Sequence, residues 1–229
     1  MSAQPAPADQ PTPASVTFVT TEHFTLQGAR AQTISEANGR MSVFLGAVSG
    51  GLIALGLMAN AVHVGTAFYA LALTLLPTLS FVGLVTFNRV LQNGLEDLIY
   101  VDRIARLRGF YFEHAPELDA YLLSVPPERR LAIEGAGGGG GGWWQHFLTV
   151  AGMAAVITSV LAGASVALLA AAMADHSLAG ALAAGGAVAL VALGGMMRYL
   201  HAAWAHHMRR FGIGAPAGSA AAYPPPPGD

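Results

Sequence analysis

Four residues able to do chemistry crowd together in an otherwise apolar stretch: Thr74, Pro77, Thr78 and Ser80. Proline removes a helix hydrogen bond and kinks the segment that contains it. Hydroxyls beside it can line a water path or satisfy the freed carbonyl. The group therefore points to a kinked, pore-lining or gating helix. The competing reading is an ordinary kinked helix whose hydroxyls bond their own backbone. A second group has no reactive atoms and works by being small. Gly46, Gly50 and Gly51 fall in one apolar run, and Gly185 and Gly186 in another, with Gly180, Gly194 and Gly195 close by. In lipid, helix association rests on packing, and small residues let backbones approach closely. These five glycines are the candidate helix-packing residues, serving either an oligomeric interface or packing within one chain.

Other candidates lack the pattern their chemistry needs. His201, His206 and His207 are five and six apart, whereas a helical metal pair prefers a spacing of four. The Gly137 to Gly142 run lacks the trailing Gly-Lys-Ser/Thr of a phosphate loop, and the chain contains no Lys. There is no Cys, which excludes disulfides and thiolate chemistry. Glu113, His114 and Glu117 are the polar groups around which an interfacial enzyme site would have to form. No catalytic motif accompanies them, so the expectation is a non-enzyme with no cofactor and no bound metal.

The elements that carry these residues are legible from charge alone. Met41 to Asn88 contains no Asp, Glu, Lys or Arg. A hydrocarbon core about 30 Å thick needs about 20 apolar residues per helical crossing, so this run holds two. With only 10% charged residues and a mean hydropathy of +0.51, the chain falls outside the soluble range of about 25% charged. Spans are expected at about Met41–Ala61, Thr66–Phe87, Phe147–Met173 and Leu178–Leu200, because only a helix satisfies its own backbone in lipid. The fold class is an all-α polytopic membrane protein: four transmembrane helices in two hairpins with a helical cytoplasmic loop. No span has an ionisable residue at its middle, which disfavours coupled transport.

Orientation follows from the basic residues, all eleven of which are Arg. Arg30 and Arg40 precede the first span. Arg89, Arg103, Arg106, Arg108, Arg129 and Arg130 separate the hairpins. Arg198, Arg209 and Arg210 lie at or beyond the end of the fourth span. All lie on one side of a four-crossing chain, and the positive-inside bias makes that side cytoplasmic. Both termini are then cytoplasmic, in the plasma membrane. Trp143, Trp144, Tyr199 and Trp204 fall at the same interface. A net charge of −2 argues against nucleic-acid binding.

The expected organisation is a disordered tail over 1–20, a juxtamembrane helix over 21–40, hairpin one over 41–87, a cytoplasmic helical region over 88–134, a Gly-rich linker over 135–142, hairpin two over 143–204, and a Pro/Ala-rich tail over 205–229 that includes Pro224 to Pro227. In the juxtamembrane helix, Phe24, Gln27, Ala31, Ile34 and Asn38 form one stripe. Leu91, Leu95, Leu98, Val101 and Ala105 form another, continuing span two about 30 Å past the membrane at 1.5 Å per residue. A break is expected at Gly109 and a short helix from Pro116.

The segment TEHFTLQGARAQTISEANGRMSVFLGAVSG (Thr21 to Gly50), with DRIARLRGFY (Asp102 to Tyr111), resembles a group of uncharacterised actinobacterial integral membrane proteins. The layout of that half also resembles two-helix membrane effector domains of bacterial nucleotide-signalled defence systems, although this chain adds a second hairpin. The resemblance implies a bacterial inner-membrane protein and supplies no functional residues. The leading expectation is a non-enzymatic membrane protein acting through helix association, as a homo-oligomer or as the subunit of a membrane partner. The alternative is a channel or pore-forming effector lined by span two, and the third is an interfacial enzyme.

Overall fold

The computed structural model describes residues 12–62, 65–114, 147–173 and 178–211. They form four helices: α1 Pro13–Val62, α2 Thr66–His114, α3 Val150–Met173 and α4 Leu178–Phe211. Each contains a stretch long and apolar enough to cross a membrane, an architecture compatible with an integral membrane protein. Outside the described residues lie the turns at His63 and at Asp175 to Ser177, the helix expected from Pro116, the glycine run, Trp143, Trp144 and the polyproline tail.

The first two helices are longer than expected. The juxtamembrane helix and span one are a single helix that already starts at Pro13, within the stretch expected to be a tail. The start is locally encoded. Thr12 accepts a hydrogen bond at Oγ1 from the Ser15 amide (3.3 Å), and Pro13 takes the first helical position, where its missing N–H costs nothing. α2 likewise runs through Gly109 to His114 without the expected break. A helical glycine costs about 1 kcal/mol relative to alanine, too little to end a helix of this length. α4 continues to Phe211, beyond the expected end of hairpin two. At 1.5 Å per residue, α1 is about 75 Å long, more than twice a hydrocarbon core.

α1 and α2 pack antiparallel. The buried seam of α1 is Leu26, Thr33, Met41, Phe44, Val48, Gly51 and Leu55, which from Met41 onward alternates threes and fours as in a coiled coil. The seam of α2 includes Ala72, Leu76, Leu79, Gly83, Phe87, Val90, Asn93, Val101 and Ile104. Arg30 lies opposite Asp97 and Gly51 opposite Leu79, so one register holds over most of both helices. The stripe read from Leu91 to Ala105 does turn inward. The stripe from Phe24 to Asn38 does not, and Phe24 is 70% exposed. The inward face of α1 carries Arg30 and Thr33, so apolar spacing alone selects the wrong side.

The helices form an open row. α1 packs on α2, α2 on α3 and α3 on α4, while α1 meets α3, and α2 meets α4, only sparsely. α2 and α3 are the inner members and α1 and α4 the ends. The apolar stretch of α4 is only 11% buried, against 33% for α2 and α3. The core sits along α2, where Phe44, Phe87 and Leu200 are fully enclosed.

Candidate functional site

The five packing glycines divide by environment. Gly51 and Gly185 are buried; Gly46, Gly50 and Gly186 are exposed. A Cβ on Gly51 would meet Leu79 Cδ1 at 2.9 Å and Leu75 Cδ2 at 3.3 Å, both flexible ends. One on Gly185 would meet the Gly163 carbonyl oxygen at 2.5 Å and Ala167 Cβ at 2.6 Å. The arrangement is reciprocal, since a Cβ on Gly163 would meet Gly185 O at 2.5 Å and Ala189 Cβ at 2.8 Å. Gly163 with Ala167 thus crosses Gly185 with Ala189, two small-x-x-x-small pairs that bring the α3 and α4 backbones into contact. Gly46, Gly50, Gly186, Gly194 and Gly195 have nothing within 4 Å of such a Cβ.

Pro77 lies inside a continuous α2. Thr74, Pro77 and Thr78 are exposed and Ser80 is half-buried. Each hydroxyl donates within its own helix: Thr74 to Ala70 O (2.8 Å), Thr78 to Thr74 O (2.7 Å) and Ser80 to Leu76 O (2.8 Å). Thr74 and Thr78 remain on the exposed side of α2. Among the described residues, no group of three His, Asp or Glu is placed to hold a metal. The side chains of Glu113, His114 and Glu117 lie outside what the structure describes.

Residues read from the sequence for orientation alone, together with Thr33, Glu36, Asn93 and Asp97, converge at the arginine-bearing end. Arg30 donates from Nε to Asp97 (2.8 Å), joining α1 to α2 with both side chains about a quarter exposed. Asn93, 3% exposed, donates to Thr33 O at a long 3.5 Å. Glu36 accepts from Arg40 (2.9 Å) and from Arg89 across the helix pair (3.2 Å). Tyr199 lies against Phe87, with ring centroids 6.4 Å apart, which brings its neighbour Arg198 to the level of Arg40 and Arg89. Above this plane, a crease of about 220 Å³ opens between α1 and the start of α3, floored by α2 and bordered by Trp204. The signal available in the sequence was polar: Arg30, Asn93 and Asp97 fall in register with the apolar seam residues of their helices.

The hydrogen bond from Arg40, with the charges of Arg40 and Arg89, holds the Glu36 carboxyl below its ordinary value of 4.5. A lowered folded-state pKa contributes stability that is present above the unfolded value and is lost as pH falls through the folded one. Melting temperature should therefore drop on acidification below about pH 4.5, and Glu36→Gln should flatten part of that drop. Melts from about pH 6 to about pH 3 check this, and identical slopes would refute it.

Against known proteins, no family model, no curated relative and no solved structure matches this chain.

Proposed function

We propose that this is a multi-pass membrane protein, with both termini cytoplasmic, that acts by associating with further copies of itself through the outer face of α1. One observation carries the reading. Gly28, Ser35, Gly39, Ser42, Gly46 and Gly50 are all exposed and recur at sevens, threes and fours on the side of α1 opposite Phe44 and Val48. None of the four glycines has anything within 4 Å of where its Cβ would be. Lipid alone would tolerate the lower half of this stripe. Gly28 and Gly39 lie on the water side of Arg40, where each costs about 1 kcal/mol of helix propensity relative to alanine. A second helix backbone packed on the stripe offsets that cost on both sides of the interface.

The chain has no cysteine, so a single Gly46→Cys substitution reports contact between copies. Oxidation in membranes should yield a disulfide-linked dimer, while Leu190→Cys on α4 should not. The double substitution Gly46→Ile, Gly50→Ile should weaken self-association at least about tenfold, or 1.4 kcal/mol. A monomeric mass in native mass spectrometry together with no Gly46→Cys cross-link would refute the reading. A partner subunit would instead appear as a stoichiometric second mass.

A second reading, a pore lined by α2 in such an assembly, draws on Thr74 and Thr78, four apart and exposed. It predicts conductance in planar bilayers that Thr74→Val, Thr78→Val reduces. The absence of conductance from the assembled wild type would refute it.

A further inference from the structure

The crease over α2 is polarised along the membrane normal. Its lower wall, nearest the plane of Arg40, Arg89 and Arg198, is mostly apolar, formed by Ala37, Val90, Leu91, Val150 and Ala151 with Asn38 among them; its upper end is mostly polar, holding Thr33, Asn93 and Asp97 beside Ile34. Asp97 lines the upper end and is paired with Arg30, which is outside the lining, at 2.8 Å. The floor is Gly94, in the interior of α2, where glycine is the poorest ordinary helix former. Close helix packing does not account for it: the nearest side-chain atom to a Cβ there would be Trp204 Cζ2, at 4.0 Å. The volume is large enough to hold water, yet most of the wall offers it no partners.

We infer that this crease binds a zwitterionic phospholipid bearing an ammonium headgroup, drawn from the leaflet on the arginine side. Depth, polarity and charge each support that occupant. The crease opens on the water side of Arg40, Arg89 and Arg198, at the depth of a headgroup, with its more apolar end toward the membrane and Asp97 at its far end. The Arg30–Asp97 pair complements a head that carries phosphate and ammonium together, whereas a purely anionic head would meet the Asp97 carboxylate. Asn93, buried and held by one long hydrogen bond, supplies a carboxamide for the phosphate or ester oxygens. The inference rests on the orientation proposed above and not on self-association.

The test uses the full-length chain in mild detergent, with native mass spectrometry titrations of short-chain phosphatidylethanolamine, phosphatidylglycerol and free phosphoethanolamine. Saturable one-to-one binding of phosphatidylethanolamine is expected, at least about tenfold tighter than either competitor. Gly94→Leu fills the floor and should abolish it. Asp97→Asn preserves shape and should erase the preference over phosphatidylglycerol. Helicity by circular dichroism and an unchanged elution volume confirm that each variant folds. Equal binding by wild type and Gly94→Leu, or no saturable binding by wild type, would overturn the proposal. So would free phosphoethanolamine binding as tightly as the lipid, since the occupant would then be a soluble molecule.

Discussion

Replacing Gly185 with alanine is expected to destabilise the protein by about 1–3 kcal/mol, whereas the same change at Gly186 should be neutral or slightly stabilising. The two residues are adjacent on one helix and differ only in what faces them. An added methyl at 185 would stand 2.5 Å from the Gly163 carbonyl oxygen and 2.6 Å from Ala167 Cβ. Backbone and alanine have no rotamer through which to yield, so α3 and α4 must move apart. Separation forfeits dispersion contacts along the crossing, and those contacts drive association in lipid. At 186 the methyl enters open space and alanine is the better helix former. Gly163→Ala should mirror Gly185→Ala. The double variant should cost less than the sum of the two, because the first substitution already opens the crossing for the second. Unfolding by SDS titration in mixed micelles measures all four. Equal effects at 185 and 186 would show that the close crossing is absent in the folded protein.

The contrast between neighbouring glycines marks how far the sequence could be read. Crossing a membrane is a demand on composition and length, so four helices long and apolar enough to cross one could be located from an uncharged run and from the positions of arginines. Facing is a different matter. A helix in lipid is apolar all round, and hydrophobic periodicity then says nothing about which side meets a neighbour. Gly46, Gly50 and Gly51 read alike in the sequence; only Gly51 turns toward α2. In the charged first half of α1, where periodicity should work, the inward side carries Arg30 and Thr33. Their partners, Asp97 and the Asn93 carboxamide, are about sixty to seventy residues away, and that distance hides the pairing from any local pattern. The early start of α1 was encoded in Thr12, Pro13 and Ser15, a short capping signal inside a Pro/Ala-rich stretch whose composition suggested disorder. The crease was the least legible feature. It depends on a single absent side chain at Gly94 and on a tryptophan more than one hundred residues further along the chain.

Gly83→Leu is expected to separate the two hairpins, at a cost of about 2–4 kcal/mol. Gly83 stands where α1, α2 and α3 meet. The place of its missing Cβ is taken by Thr158 Oγ1 of α3, with Phe44 Cζ of α1 at 2.8 Å. Thr158 is 5% exposed, and its hydroxyl has no conventional hydrogen-bond partner. In glycine the Cβ direction is occupied by an α-hydrogen, so the Thr158 oxygen is placed to accept a Cα–H···O contact, worth about 0.5–1 kcal/mol at helix interfaces. An alanine here can be accommodated by rotating Thr158 and shifting the ring tip of Phe44. Gly83→Ala should therefore cost about 1 kcal/mol, with part of the loss recovered by Thr158→Ala. A leucine has no such outlet. It pushes α3 from α2, and the sparse contacts of α1 with α3 and of α2 with α4 leave little else to hold the hairpins together. Hydrogen exchange should then rise across α3 and α4 while the α1–α2 seam, secured by Phe44, Leu79 and the Arg30–Asp97 pair, keeps its protection. Uniform loss of protection in all four helices would mean that the hairpins fold as one unit. Unchanged exchange would mean that Gly83 does not lie at the junction.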